Sequence, residues 1–165
     1  MKTRTKTKTL VMLGAVGAIA FSALAANVHF KGGNPTFTDN GLTLSTAFCL
    51  AGLGNQNIRA TITAVGQGTA NCTNPGGNQA PGQNKIPLSL SGSQTISATD
   101  IKNGNVCFRV TSAGPTQPTA QEAGCPNNNW DATITDVVFS SATITVVQDG
   151  KVVLRKTVRT FAQQP

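Results

Sequence analysis

The sequence predicts an all-β protein, an antiparallel β-sandwich of immunoglobulin-like type with seven or eight strands and two disulfides. Three observations carry that expectation. Beyond residue 25 no window keeps a 3.6-residue apolar period, whereas several stretches alternate apolar and polar residues. Those stretches are filled by Thr, Val, Ile, Ser and Ala, and the gaps between them by Asn, Gly and Pro. The gaps are too short for crossover helices, so successive strands should pair antiparallel. A β-barrel of the same strands is the alternative.

The first element is not expected to belong to the fold. Lys2, Arg4, Lys6 and Lys8 make a basic start, LVMLGAVGAIAF at 10–21 is apolar, and Ala23-Leu24-Ala25 has the small-x-small form of a signal peptidase site. An apolar run of twelve residues is shorter than the roughly 18 to 20 that span a bilayer. Residues 1–25 therefore read as a signal peptide and 26–165 as one secreted domain. No cysteine follows the cleavage site to carry a lipid, and the FAQQP tail has no hydrophobic anchor, so the product should be released. Removing the leader also changes the charge. Of 13 Lys and Arg, four leave with it, so nine face the 6 acidic residues, a net of +3. With no Tyr and most Phe in strand phase, this is no footprint for nucleic acid.

The strands follow in order. Residues 28–31 form a short strand that Gly32-Gly33-Asn34-Pro35 should break. Residues 37–50 read as one strand with Leu42, Leu44, Phe48 and Leu50 in a single phase, interrupted in chemistry only by Thr46. After a turn at 52–57, residues 58–72 alternate strictly, Ala60, Ile62 and Ala64 against Arg59, Thr61 and Thr63. NCTNPGGNQAPGQNK at 71–85 reads as a long loop. Residues 86–96 resume the alternation, 100–105 turn, and Val106, Phe108 and Val110 define another strand. Residues 114–129, rich in Pro, Gly and Asn, read as a second long loop. Residues 133–147 form a strand with a bulge expected near Ser140-Ser141. Asp149-Gly150 is the strongest hairpin signal, and 151–161 should be the last strand. FTDNGLTL at 37–44 and FSSATITV at 139–146 echo one another weakly.

Four cysteines in an exported chain read as disulfides with three possible connectivities. Cys49 and Cys107 are each out of step with the apolar face of their strand, which suits them to each other. Cys72 and Cys125 both lie beside the long irregular segments. The expected pairs are Cys49 with Cys107 and Cys72 with Cys125. Zinc is the competing reading, but there is no CxxC pair and the only His is His29. Between residues 71 and 118 the only carboxylate is Asp100, too few for calcium. No metal or cofactor is expected.

Joining Cys72 to Cys125 would gather both loops and Trp130, the sole Trp, at one pole among Asn74, Asn78, Gln79, Gln83, Asn84, Asn127, Asn128 and Asn129. An aromatic face among neutral amides suits a sugar, which offers an apolar C–H face and a rim of hydroxyls. The plainer reading makes Trp130 a lid on the core and the amides partners of turn backbone.

HFKGGNPTFTDNGLTL, AGLGN, CTNPGGNQAPGQN and NWDATITDVVFSSATITV resemble a family of small secreted bacterial β-rich proteins of actinobacterial type, of which the NPGGNQAPGQN block is the most distinctive part. The resemblance covers nearly the whole mature chain. It implies an extracellular bacterial protein and supplies no catalytic residues.

Catalysis is not expected. A nucleophile needs a base within reach, and His29 has no carboxylate nearer in sequence than Asp39. A carboxylate pair for hydrolysis could come from any of the 6 acids, among them Asp131 and Asp136, yet these flank a strand start, where Asp is ordinary. Lys151, Arg155, Lys156 and Arg159 load the last strand with charge that suits an anionic wall polymer, or that guards an edge against aggregation. Asn71-Cys72-Thr73 matches a glycosylation sequon that should be idle in a bacterial protein. The sequence therefore predicts a secreted, non-enzymatic extracellular structural or interaction protein. The partner would be an extracellular polysaccharide, a cell-wall polymer or a second copy of the chain. A glycan-binding module at the Trp130 pole is the alternative, and a hydrolase the third.

Overall fold

The computed structural model describes residues 27–159. The expected signal peptide, its cleavage site and the end of the last strand from residue 160 lie outside the described residues. Eight strands are formed among them: β1 (His29–Asp39), β2 (Leu44–Ala51), β3 (Ile58–Thr73), β4 (Gln79–Pro81), β5 (Ile86–Ile96), β6 (Val106–Thr111), β7 (Asp131–Gln148) and β8 (Lys151–Arg159). A 3₁₀ turn at Ala98–Asp100 and one helical turn, α1 (Ala120–Ala123), complete the elements.

Two antiparallel sheets pack face to face. Sheet A has the order β1-β2-β6; sheet B has β4-β3-β7-β8, with β5 paired to β3 on the same side as β4. The β1-β2 hairpin stays in sheet A, β3 crosses to sheet B, β6 returns to pair with β2, and β7 crosses back to pair with β3. That interleaving is the immunoglobulin-like sandwich expected from the sequence.

Strand β3 is the axis of the molecule and shows why the sequence folds this way. Its sixteen residues alternate without a slip, every even position from Ile58 to Cys72 buried and every odd one facing out. Only period-2 patterning can bury one face of so long an element. Leu44, Phe48, Leu50 and Val110 of sheet A cover Ile58, Ala60, Ile62, Ala64, Ile144 and Val146 of sheet B. Phe48 makes edge-on contacts with Phe30 and Phe108, at centroid distances of 5.3 and 4.7 Å. Thr46 fits this row because its buried hydroxyl donates to the Thr36 carbonyl at 2.8 Å.

Sheet B outruns sheet A. Strand β7 has 18 residues, about 60 Å at a strand rise of ~3.3 Å per residue, whereas sheet A stops at the β1-β2 turn, where the Gly41 carbonyl accepts from the Val137 N–H at 3.0 Å. Beyond that point Ala70, Cys72, Ala132 and Ile134 still face inward, and the β6-β7 connection carrying α1 covers them. The Cys72–Cys125 disulfide fastens the cover, with Cys72 fully buried. Cys49–Cys107 joins residues directly opposite on β2 and β6, on the outer face of sheet A.

Two bulges in β7 let so long a strand bend. Ser140 is skipped between the pairs Val65–Ser141 and Gly66–Phe139, and Thr135 between Thr69–Asp136 and Ala70–Ile134. Each bulged hydroxyl donates to a β3 carbonyl, Ser140 to Val65 and Thr135 to Thr69. One side of the sandwich is nearly closed, which makes sheet B resemble half a barrel. Ala113 N–H bonds the Ser91 carbonyl at 3.0 Å, and the Thr111 carbonyl occupies the space a Cβ on Gly92 would need. At the other end of β7, Asp149 and Gly150 take φ of 51° and 70°, the left-handed pair of a tight hairpin.

Several expectations need correction. Residues 37–50 are not one strand. Asp39-Asn40-Gly41 turns the chain, with the Asp39 carboxylate accepting from Gly41 N–H at 2.9 Å, so Leu42 is exposed rather than inward. Gly32 to Pro35 does not end the first strand; β1 runs through it with a register shift between Lys31 and Thr36. The loop at 71–85 contains β4, and that at 114–129 contains α1. FTDNGLTL spans a turn while FSSATITV lies within one strand, so their echo is not a structural repeat.

Candidate functional site

The Cys72–Cys125 disulfide ties the segment 71–85 to the β6-β7 connection. Asp131 pairs with Thr73, so Trp130 sits one residue past the β3-β7 ladder, level with the turn that begins at Asn74. Its side chain is half-buried and packs against the core, and its backbone N–H donates to the Asn127 carbonyl at 3.3 Å.

Four of the eight amides expected here bond backbone, and Gln79 bonds a side chain. The Asn74 side-chain oxygen accepts from Asn78 N–H at 2.8 Å and holds the turn into β4. Gln79 accepts from the Asn71 amide, Gln83 donates to the Pro81 carbonyl, and the Asn127 oxygen accepts from Asn129 N–H. Asn84 serves α1: its side-chain amide donates to the Gln121 and Glu122 carbonyls, and its backbone N–H to Ala123. Only the side chains of Asn78, Asn128 and Asn129 make no hydrogen bond among the described residues. The loop 71–85 is thus largely a clasp between β3 and α1.

Helix α1 begins with a capping box. The Thr119 hydroxyl accepts from Glu122 N–H, while the Glu122 carboxylate accepts from Thr119 N–H at 2.8 Å and from its hydroxyl at 2.9 Å. The Thr119 backbone hydrogen bond, and after it the hydroxyl bond, hold the Glu122 carboxyl below its ordinary value.

A second surface was not singled out from the sequence. The tetrapeptide Ala-Thr-Ile-Thr occurs at 60–63, 132–135 and 142–145, and the fold sets the first and third against each other. Thr61 stands opposite Thr145, Ile62 opposite Ile144 and Thr63 opposite Thr143. The isoleucines enter the core and the threonines form the outer face of sheet B. Four rows cross β5, β3, β7 and β8 in turn: Thr95-Arg59-Val147-Val152, Ser93-Thr61-Thr145-Arg155, Ser91-Thr63-Thr143-Thr157 and Ser89-Val65-Ser141-Arg159. Ten of the sixteen positions carry a hydroxyl, so donors and acceptors cover the face. The third row is joined by Thr63 to Ser91 at 3.1 Å and Thr143 to Thr157 at 2.9 Å, and Arg59 donates to Ser93 at 3.0 Å. The repeated tetrapeptide was the available signal for this surface, but only the pairing reveals that two copies align.

His29 is exposed on β1, and its ring Nδ1 lies 2.8 Å from the Asn27 carbonyl. Asp131 and Asp136 project from the far half of β7, opposite Thr73 and Thr69. No three His, Cys, Asp or Glu side chains converge to hold a metal among the described residues. Among them, too, no helix is long and apolar enough to cross a membrane. In comparisons with known proteins, the chain matches no family model and no curated protein.

Proposed function

We propose that this protein is an exported, non-enzymatic extracellular module that acts by binding, through the outer face of sheet B. The observation that carries the reading is the four-strand array of Thr and Ser rows, part-buried on β3 and β7, exposed on β5 and β8, and fixed in spacing by the ladders beneath it. A surface of pre-positioned hydroxyls suits a polar, repetitive partner such as an extracellular polysaccharide, because few side chains must be ordered on binding. Export is supported by the basic, apolar and small-residue pattern of residues 2–25 and by two disulfides, which form in oxidising compartments.

One observation favours a second site. Trp130 is partly exposed beside Asn128 and Asn129, whose amides are free to meet a sugar rim, so a glycan could dock at that pole instead.

Co-sedimentation with insoluble bacterial, plant and fungal wall glycans, with released sugar measured in the supernatant, tests both. Wild-type protein should pellet with at least one polymer and release nothing. Thr63→Val with Thr143→Val should abolish pelleting, while Trp130→Phe should not. Loss on Trp130→Phe alone would move the site to the pole, and sustained sugar release would overturn the non-enzymatic reading.

A further inference from the structure

Resting on the reading of sheet B as the binding face, we infer that its partner is a polyanionic glycan, a polysaccharide bearing a carboxylate or an esterified phosphate or sulfate on its repeat. The cations on this face are placed, not scattered. Arg155 and Arg159 stand in the second and fourth rows of β8, and Arg59 in the first row of β3. Four residues along a strand separate Arg155 from Arg159, about 13 Å, and two strands with two residues separate Arg59 from Arg155, about 12 Å. Ten hydroxyls fill the space between and around them. No Asp or Glu occupies any of the sixteen positions, and none of the three arginines pairs with a carboxylate among the described residues. Asp131 and Asp136 sit on the other half of the strand, beyond the Ser140 bulge.

The residue types choose among polyanions. A guanidinium offers a planar fork of donors matched to carboxylate, phosphate and sulfate oxygens, and the hydroxyls supply neutral partners for sugar hydroxyls between the charges. The sixteen positions hold no aromatic side chain, so nucleobases have nothing to stack on. They also lack the large aromatic anchors that dominate protein interfaces, Val65, Val147 and Val152 being the only apolar members. Edge protection explains charge on β8, but not Arg59, which lies on a central strand paired on both sides.

The test uses the secreted protein with two probes of matched length, polygalacturonate and neutral dextran, titrated by calorimetry at 50 and 500 mM salt. Three proteins are compared: wild type, Arg59→Gln/Arg155→Gln/Arg159→Gln, and Thr63→Val/Thr143→Val, each checked for an unchanged thermal transition. Polygalacturonate should bind wild type at least tenfold more tightly than dextran. High salt should weaken that binding at least tenfold, as should the arginine variant, and the threonine variant should weaken it too. Equal affinity for both probes, insensitive to the arginine variant but reduced by the threonine variant, would overturn the polyanion inference and leave the binding face standing. Binding unaffected by either variant, or absent with both probes, would overturn the inference together with the face it rests on.

Discussion

Gln148 is the side chain on which the connection between the two sheets turns. It is the last residue of β7, buried at 5% exposure, and points into the core where the alternation calls for an apolar residue. Its amide clamps the β2-β3 loop: the oxygen accepts from Gly54 N–H at 3.0 Å, and the nitrogen donates to the carbonyls of Gly54 at 3.1 Å and Gln56 at 2.8 Å. Replacing it by Leu keeps the volume and removes all three bonds. At about 1 kcal/mol net per neutral bond the loss is about 3 kcal/mol, reduced to about 2 because the loop backbone is partly exposed and water recovers some of it. Gln148→Ala also removes the packed stem and should cost about 3 kcal/mol. Denaturant unfolding followed by Trp130 fluorescence reads both, and for a domain of this size about 2 kcal/mol lowers the midpoint temperature by roughly 8 °C. A loss below about 0.5 kcal/mol for both variants would refute the clamp.

Three further outcomes follow from the same geometry. Gly92→Ala should destabilise more than any exposed substitution on β5, because its Cβ would meet the Thr111 carbonyl, and a melting curve unchanged from wild type would contradict the closed β5-β6 side. Paired Cys→Ser replacement of either disulfide opens a loop of 53 or 58 residues, worth about 4 kcal/mol each by chain entropy. Only loss of Cys72–Cys125 should also expose Trp130 to quencher, since it alone fastens the cover over that end of the core. The Glu122 carboxyl, held below its ordinary value by Thr119, contributes stability that is complete above the unfolded value of about 4.3 and lost as pH falls through the folded one. A carboxyl NMR titration should find Glu122 below its ordinary value where α1 is intact, and Thr119→Ala should raise it.

The sandwich was legible because the signals that fix it are periodic or paired. Sixteen alternating residues in β3 leave no other way to bury one face, Asp149-Gly150 names its own turn, and the phase of Cys49 and Cys107 puts both on the outer side of neighbouring strands. What escaped depended on competing local chemistry. Asp39-Asn40-Gly41 is a turn signal masked by the apolar phase of Leu42 and Leu44. Thr119 to Glu122 spells a capping box inside a segment whose Pro and Gly content suggested irregular loop. Gln148 reads as the polar end of a strand, and only the fold shows it buried. The amides around Trp130 could be located but not assigned, because an Asn that caps a helix and an Asn that meets a ligand look alike in sequence. The outer face of sheet B required the register itself, since row membership depends on which residues of four strands stand opposite one another.

The measurement that bears most directly on the binding face is an amide chemical-shift map of the folded protein, titrated with soluble fragments of whichever polymer it sediments with. The expected result is a set of shifts concentrated at Thr61, Thr63, Thr143, Thr145 and Arg155, adjacent across β3, β7 and β8. Shifts centred on Trp130 and Asn127 to Asn129, with those rows unmoved, would contradict it and assign binding to the pole.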